Sequence, residues 1–186
     1  MFFLALLAVC LASVPLTGGS LGALADLRLR WVPLLVAVLV VQILVLVIFT
    51  GGDHAVLAVI YAATFTGAAA FLWVNRRVPG VLLIGLGGLL NEVAIIANNG
   101  VMPARPGALA AAGLPIVEAR FRNSAAVAHP HLAWLGDTFA IPAGVPLANV
   151  FSAGDVVIVV GALVLLHVTC GSRLPRRLRA ARAGAT

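Results

Sequence analysis

The sequence predicts an all-α integral membrane protein: a bundle of about five transmembrane helices, with a Pro-rich extracytoplasmic cap between helices 4 and 5. Three observations carry that expectation. The 186-residue chain is 62% hydrophobic and 10% charged, with a mean hydropathy of +1.13. Soluble domains average about 45–50% apolar and 25% charged residues. Five apolar runs stand out, Phe2–Thr17, Trp31–Thr50, Ala55–Val74, Gly80–Asn98 and Asp155–Cys170. All twelve basic residues are arginine, and none falls inside a run. A formal charge of +6 would ordinarily suggest nucleic acid. Arginines that bracket apolar runs indicate topology instead, and no nucleic-acid partner is expected.

The first run, 16 residues, has no charged start for a cleaved signal, and Val9 is too large for a lipoprotein site at Cys10. It is expected to remain a helix. The middle three runs are 20, 20 and 19 residues; 20 helical residues span about 30 Å, one hydrocarbon thickness. The last run is again 16 residues and would borrow flanking residues to cross. Cys10 and Cys170 would lie in the first and last helices at different depths. A disulfide between them, which needs Cα atoms within about 7 Å, is not expected.

Connectors set the orientation. "ADLRLR", "NRRVPG" and the tail "SRLPRRLRAAR" place nine arginines on one side, against Arg105, Arg120 and Arg122 on the other. The positive-inside rule then puts the N-terminus out and the C-terminus in, within a bacterial cytoplasmic (inner) membrane. Trp31 and Trp73 would mark the inner boundary. The tail arginines Arg173, Arg176, Arg177, Arg179 and Arg182 would hold anionic lipid headgroups. The resulting organisation is residues 1–100 for helices 1–4, 101–154 for the cap or re-entrant segment, 155–172 for helix 5 and 173–186 for a basic cytoplasmic tail.

The cap segment holds six of the ten prolines (103, 106, 115, 130, 142, 146), which preclude long regular elements. "RPGALAAAG" predicts one short helix, opened by Pro106 and ended by Gly113. "LPIVEARF" and "HPHLAWLGD" predict further short helices or strands. At 54 residues the segment is too long for a bare loop.

Polar residues concentrate in two places. On a helical projection of the fourth run, Gly80, Gly85, Gly87, Gly88, Asn91, Glu92, Ala94, Asn98 and Asn99 share one half, and aliphatic residues the other. Small residues allow close helix approach and amides bond across helices, so this run should be the packing centre. Glu92 is a candidate proton or cation site; the alternative is a carboxyl satisfied by an asparagine, a backbone group or Arg105, Arg120 or Arg122. In "NVFSAGD", Ser152 and Asp155 have capping-box spacing. Capping explains them better than catalysis does, and Asp137 beside Gly136 fits a turn. "HPH" (His129 to His131) could join His54 or Asp137 around a metal, but the signal is too sparse for a metal site to be expected. His167 and Gln42 fit ordinary interhelical hydrogen bonds. "GLGG" at 85–88 follows no strand, so it is not a dinucleotide fingerprint. No nucleophile, zinc-protease or phosphate-loop motif occurs, and no cofactor is implied.

Four stretches together, "ADLRLRWVPLL", "GGLLNEVAIIANNGVMP", "LAWLGDTFAIP" and "NVFSAGDVVIVVG", resemble an uncharacterised family of small bacterial multi-pass membrane proteins, domain of unknown function 5317. The resemblance spans nearly the whole chain. It carries over to Asn91, Asn98, Gly100, Met102, Pro103, Gly136, Asp137, Pro142, Asn149, Phe151, Ser152, Gly154 and Asp155. Two positions depart from the pattern: Asn99 stands where a glycine is usual, and Glu92 where an apolar residue is usual. The resemblance implies a fold and no activity.

These observations set three functional expectations. The leading one is a non-enzymatic accessory or binding component, with a membrane-protein partner or a second copy, because no catalytic constellation is present. An oligomeric transporter or ion-coupled carrier using Glu92 and Asp155 is the alternative. A lipid-acting enzyme would need Asp137 and Asp155 to share a pocket. The candidate binding residues are Asn91, Glu92, Asn98, Asn99, Asp137, Asn149, Ser152 and Asp155. They form either a polar pocket or the hinge that seats the cap, and the hinge needs only turn and capping chemistry.

Overall fold

The computed structural model describes residues 2–48, 54–98, 101–115 and 126–173, with side-chain surroundings undescribed for residues 2–4, 45–48, 54–59, 61 and 62. Asn99, Gly100, most of "LPIVEARF" with Arg120 and Arg122, and the tail arginines beyond Arg173 lie outside the described residues.

Each apolar run folds as a helix: α1 (Phe2–Leu16), α2 (Val32–Ile48), α3 (His54–Val74), α4 (Val81–Ala97) and, after the cap, α6 (Ala153–Thr169). The cap adds α5 (Pro106–Ala111) and two strands, β1 (Asp137–Ile141) and β2 (Asn149–Ser152). Short 3-10 turns at Leu21–Asp26 and Ala133–Leu135 precede α2 and β1.

Two expectations need correction. The fold is mostly helical but not all-α, because β1 and β2 pair antiparallel, with Asp137 opposite Ser152 and Ile141 opposite Asn149. Among the described residues, no helix is long and apolar enough to cross a membrane. The multi-pass reading, its inner-membrane location and its N-out, C-in orientation therefore do not stand. The first, second and fourth runs overstate their helices because end residues are spent on turns, whereas α3 and α6 are each one residue longer than their runs. Trp31 takes a left-handed φ of 61°, Gly80 one of 84°, and Asn98 caps α4. Helices α1, α2, α4 and α6 keep 15, 17, 17 and 17 residues, about 23–26 Å against a hydrocarbon core of about 30 Å. Helix α3 has 21 residues, but its side chains are described continuously only from Ala63.

Helices α4 and α6 form the central pair, and glycines explain their closeness. A Cβ on Gly80 would lie 2.2 Å from the Gly161 carbonyl oxygen, and one on Gly87 would lie 2.5 Å from that of Gly154. The two contacts are seven residues apart on both helices, running in opposite directions, so one antiparallel seam brings backbone against backbone. Around it, Gly85 receives Leu72 of α3, while Gly67 of α3 receives Val38 of α2. Gln42 Nε2 donates to Thr64 Oγ1 at 3.3 Å between α2 and α3, the expected interhelical bond.

Three cores result. Ala104, Ala108, Leu109, Ala112 and Val150 give the cap its own. Ala94, Met102 and Leu135 seat the cap on α4. Cys10, Val14, Leu166 and Cys170 join α1 to α6. The two cysteines thus share one cluster rather than lying at different depths, and both thiols are free.

Candidate functional site

The predicted site residues that are described fall at two places. At the first, where β2 turns into α6, Ser152 is the N-cap and fully buried. Its Oγ accepts from the Asp155 backbone N–H at 3.0 Å, and the Asp155 carboxylate accepts from the Ser152 N–H at 3.0 Å. The capping box is complete. Asn91 of α4 reaches into it. Its Oδ1 accepts from Ser152 Oγ at 2.7 Å, and its Nδ2 donates to Asp155 Oδ1 at 2.8 Å. A Cβ on Gly154 would sit 2.0 Å from Asn91 Oδ1, so only glycine leaves the amide that space. The negative carboxylate also faces the positive end of the α6 dipole. Both Asp155 oxygens, both sides of the Asn91 amide and the Ser152 hydroxyl are occupied within this joint.

Asp137 adjoins the joint through the ladder, opposite Ser152. It is buried, its backbone N–H donates to the Pro103 carbonyl at 2.9 Å, and its carbonyl accepts from Arg105 N–H at 3.0 Å. Asn149 lies at the far end of the ladder, opposite Ile141; three strand residues carry it about 10 Å from Ser152. Glu92, next to Asn91, is half-buried with Oε1 sealed from solvent.

The second place is the end of α4. Asn98 is buried, and its side chain clasps the backbone of His131: Oδ1 accepts from the His131 N–H at 2.8 Å and Nδ2 donates to the His131 carbonyl at 2.8 Å. Nδ2 also donates to the carbonyl of Ala94, one turn back, at 2.7 Å. An amide side chain here imitates a strand edge. Among the described residues no group of three His, Cys, Asp or Glu forms a metal cluster; "HPH" supplies a backbone for Asn98 to hold.

Sequence reasoning missed a twin of this clasp. Asn75, buried at the end of α3, accepts from the Arg30 N–H at 2.8 Å and donates to the Arg30 carbonyl and to the Phe71 carbonyl, each at 2.9 Å. In both clasps the residue after the one held, Trp31 or Leu132, takes a positive φ (61° and 50°) and starts a helical turn. The available signal was an asparagine just past an apolar helix, which Asn75 shares with Asn98.

His167 marks a third place, where the interhelical bond expected of it runs to Ser13 of α1. His167 is buried between α1 and α6. Its Nε2 meets Ser13 Oγ at 3.1 Å, and its Nδ1 meets Ser172 Oγ at 2.7 Å and Thr17 Oγ1 at 3.3 Å. Ser13 commits its own proton to the Cys10 carbonyl at 2.6 Å. Gly171, at φ 65°, turns the chain so that Ser172 comes back over His167. Burial raises the Cys10 thiol above its ordinary range by desolvating the thiolate.

Residues 26–167 match the pattern of a family of unknown function, DUF5317. The chain belongs to the DUF5317 family. The match covers both clasps and the whole Asn91–Ser152–Asp155 joint, whereas Ser13, Thr17 and Ser172 of the His167 cluster fall outside it. No curated protein and no solved structure matches the chain.

Proposed function

We propose that this DUF5317 protein is a non-enzymatic accessory or binding component that presents an apolar helix face to a protein partner or a second copy. The observation that carries this reading is on α4. Leu82, Leu86, Leu89, Val93 and Ile96 stay exposed, at alternating spacings of four and three residues. That repeat is the seam that another helix packs against. An exposed apolar patch with such regularity marks an interaction surface.

The polar joint supports the same reading. Its carboxylate, amide and hydroxyl hold one another and the backbone, an arrangement suited to fixing the cap on α4 and α6. A carrier would need Asp155 to exchange its bonds for a proton or cation, and both its oxygens are engaged. An enzyme would need a group released toward substrate.

Purification of the full chain in mild detergent, with mass measured by light scattering, tests the proposal. The expected result is an assembly larger than the 19.1 kDa chain, reduced to monomer by L86Q/L89Q. A wild-type protein recovered only as a partner-free monomer rejects it.

A further inference from the structure

One end of the helical body is strongly basic. The end of α1 meets the end of α6 there, with Ser20 N–H donating to the Cys170 carbonyl and Arg173 N–H to the Thr17 carbonyl, each at 3.0 Å. Leu24 of the following 3-10 turn packs on the Cys10–Cys170 core. Asn75 brings Arg30 and the start of α2 to the end of α3. Gly80, which opens α4, lies against Gly161 and Leu165 in the second half of α6.

Three separate connections therefore deliver Arg28, Arg30, Arg76, Arg77 and Arg173 to this end, all exposed. The acidic residue placed among them in the described chain is Asp26. Between these cations stand exposed apolar side chains: Leu16 is 85% exposed, Trp31 51% and Trp73 66%. Arg76 stacks on the Trp73 ring at 4.3 Å from its centroid, which fixes a cation beside an amphipathic ring.

We propose that this end docks on the surface of an anionic phospholipid bilayer, the arginines meeting headgroup phosphates while Trp31, Trp73 and Leu16 enter the interfacial layer. Arginine suits phosphate because its planar fork donates in pairs. Tryptophan prefers the headgroup region, where one edge is apolar and the other wet. The apolar side chains decide between lipid and nucleic acid: a phosphate backbone attracts the arginines equally but gives Leu16 nothing to bury in. The surface is separate from the apolar stripe of α4, so L86Q/L89Q should leave it intact.

The full chain, delivered from dilute detergent to phosphatidylcholine vesicles with and without phosphatidylserine, provides the test. Anionic vesicles should bind much more tightly than neutral ones. R28Q/R77Q should weaken that binding about 25-fold, roughly fivefold for each arginine, and added salt should weaken it further. R105Q, in the cap, should leave it unchanged. Among single-tryptophan variants, brominated lipid should quench Trp31 and Trp73 but not Trp134, which lies in the cap. Equal affinity for neutral vesicles, equal quenching of Trp134, or duplex DNA that binds better than vesicles would each overturn the proposal.

Discussion

Replacing Gly87 by alanine measures what the α4–α6 seam requires. A Cβ at residue 87 would lie 2.5 Å from the Gly154 carbonyl oxygen, 2.7 Å from Ile158 N and 2.7 Å from Ile158 Cγ1. Two of those atoms are backbone and cannot rotate away. Restoring ordinary contact near 3.5 Å asks the helices to part by about 1 Å, a gap that forfeits a quarter to a half of the dispersion energy there. Overpacking of this kind costs about 1–3 kcal/mol. Alanine recovers about 0.5–1 kcal/mol of helix propensity, leaving a net loss of up to about 2.5 kcal/mol. Gly88 is the control: it is the next residue of the same helix, exposed, with nothing within 4 Å of a new Cβ. Gly88→Ala should stabilise by about 0.5–1 kcal/mol. Denaturant unfolding followed by helical circular dichroism gives both values, and their difference is free of the propensity term. Equal midpoints for the two variants would refute the seam.

Other outcomes follow from single side chains. Asn98→Ala removes three bonds to backbone, so it should lower stability by about 1–3 kcal/mol and speed proteolysis near His131; Asn75→Ala should do the same near Arg30. Ser152→Ala loses a buried N-cap and its bond to Asn91, about 2 kcal/mol in all by denaturation; a loss below a few tenths would contradict the joint. Cys10 is raised in the folded state, so the stability it contributes is present below its unfolded value of about 9.0 and lost as pH rises beyond. Unfolding measured between pH 8 and 11 should show that slope, and Cys10→Ala should flatten it.

The clasps show how a buried amide can organise distant backbone. An asparagine beyond a helix end has one acceptor and two donors. Asn75 and Asn98 spend them identically, on one residue's N–H and carbonyl and on the carbonyl of the turn behind. Each clasp fixes the entry to a helical turn from a residue far away in sequence.

The features legible in the chain alone are those set by short-range chemistry. The extents of the apolar runs located α1–α4 and α6 to within two residues at each end, and Pro106 with Gly113 bounded α5. Ser152 and Asp155 form the box their spacing predicts, and the glycine and amide half of α4 supplies two of its three buried positions, Gly87 and Ala94, although Val81 is the third and Gly88 is exposed. Tertiary structure alone decided which partners those residues meet. Nothing periodic announces that Gly87 answers Gly154, that Cys10 shares a core with Cys170, or that Asn75 and Asn98 bond to backbones 45 and 33 residues away. The strands escaped notice because neither "DTFAI" nor "NVFS" alternates apolar with polar residues. The membrane-spanning expectation failed for a related reason. Run length counts every apolar residue, but Trp31 and Gly80 adopt left-handed turns, and a conformation of that kind is chosen by the neighbours it must reach rather than by hydropathy.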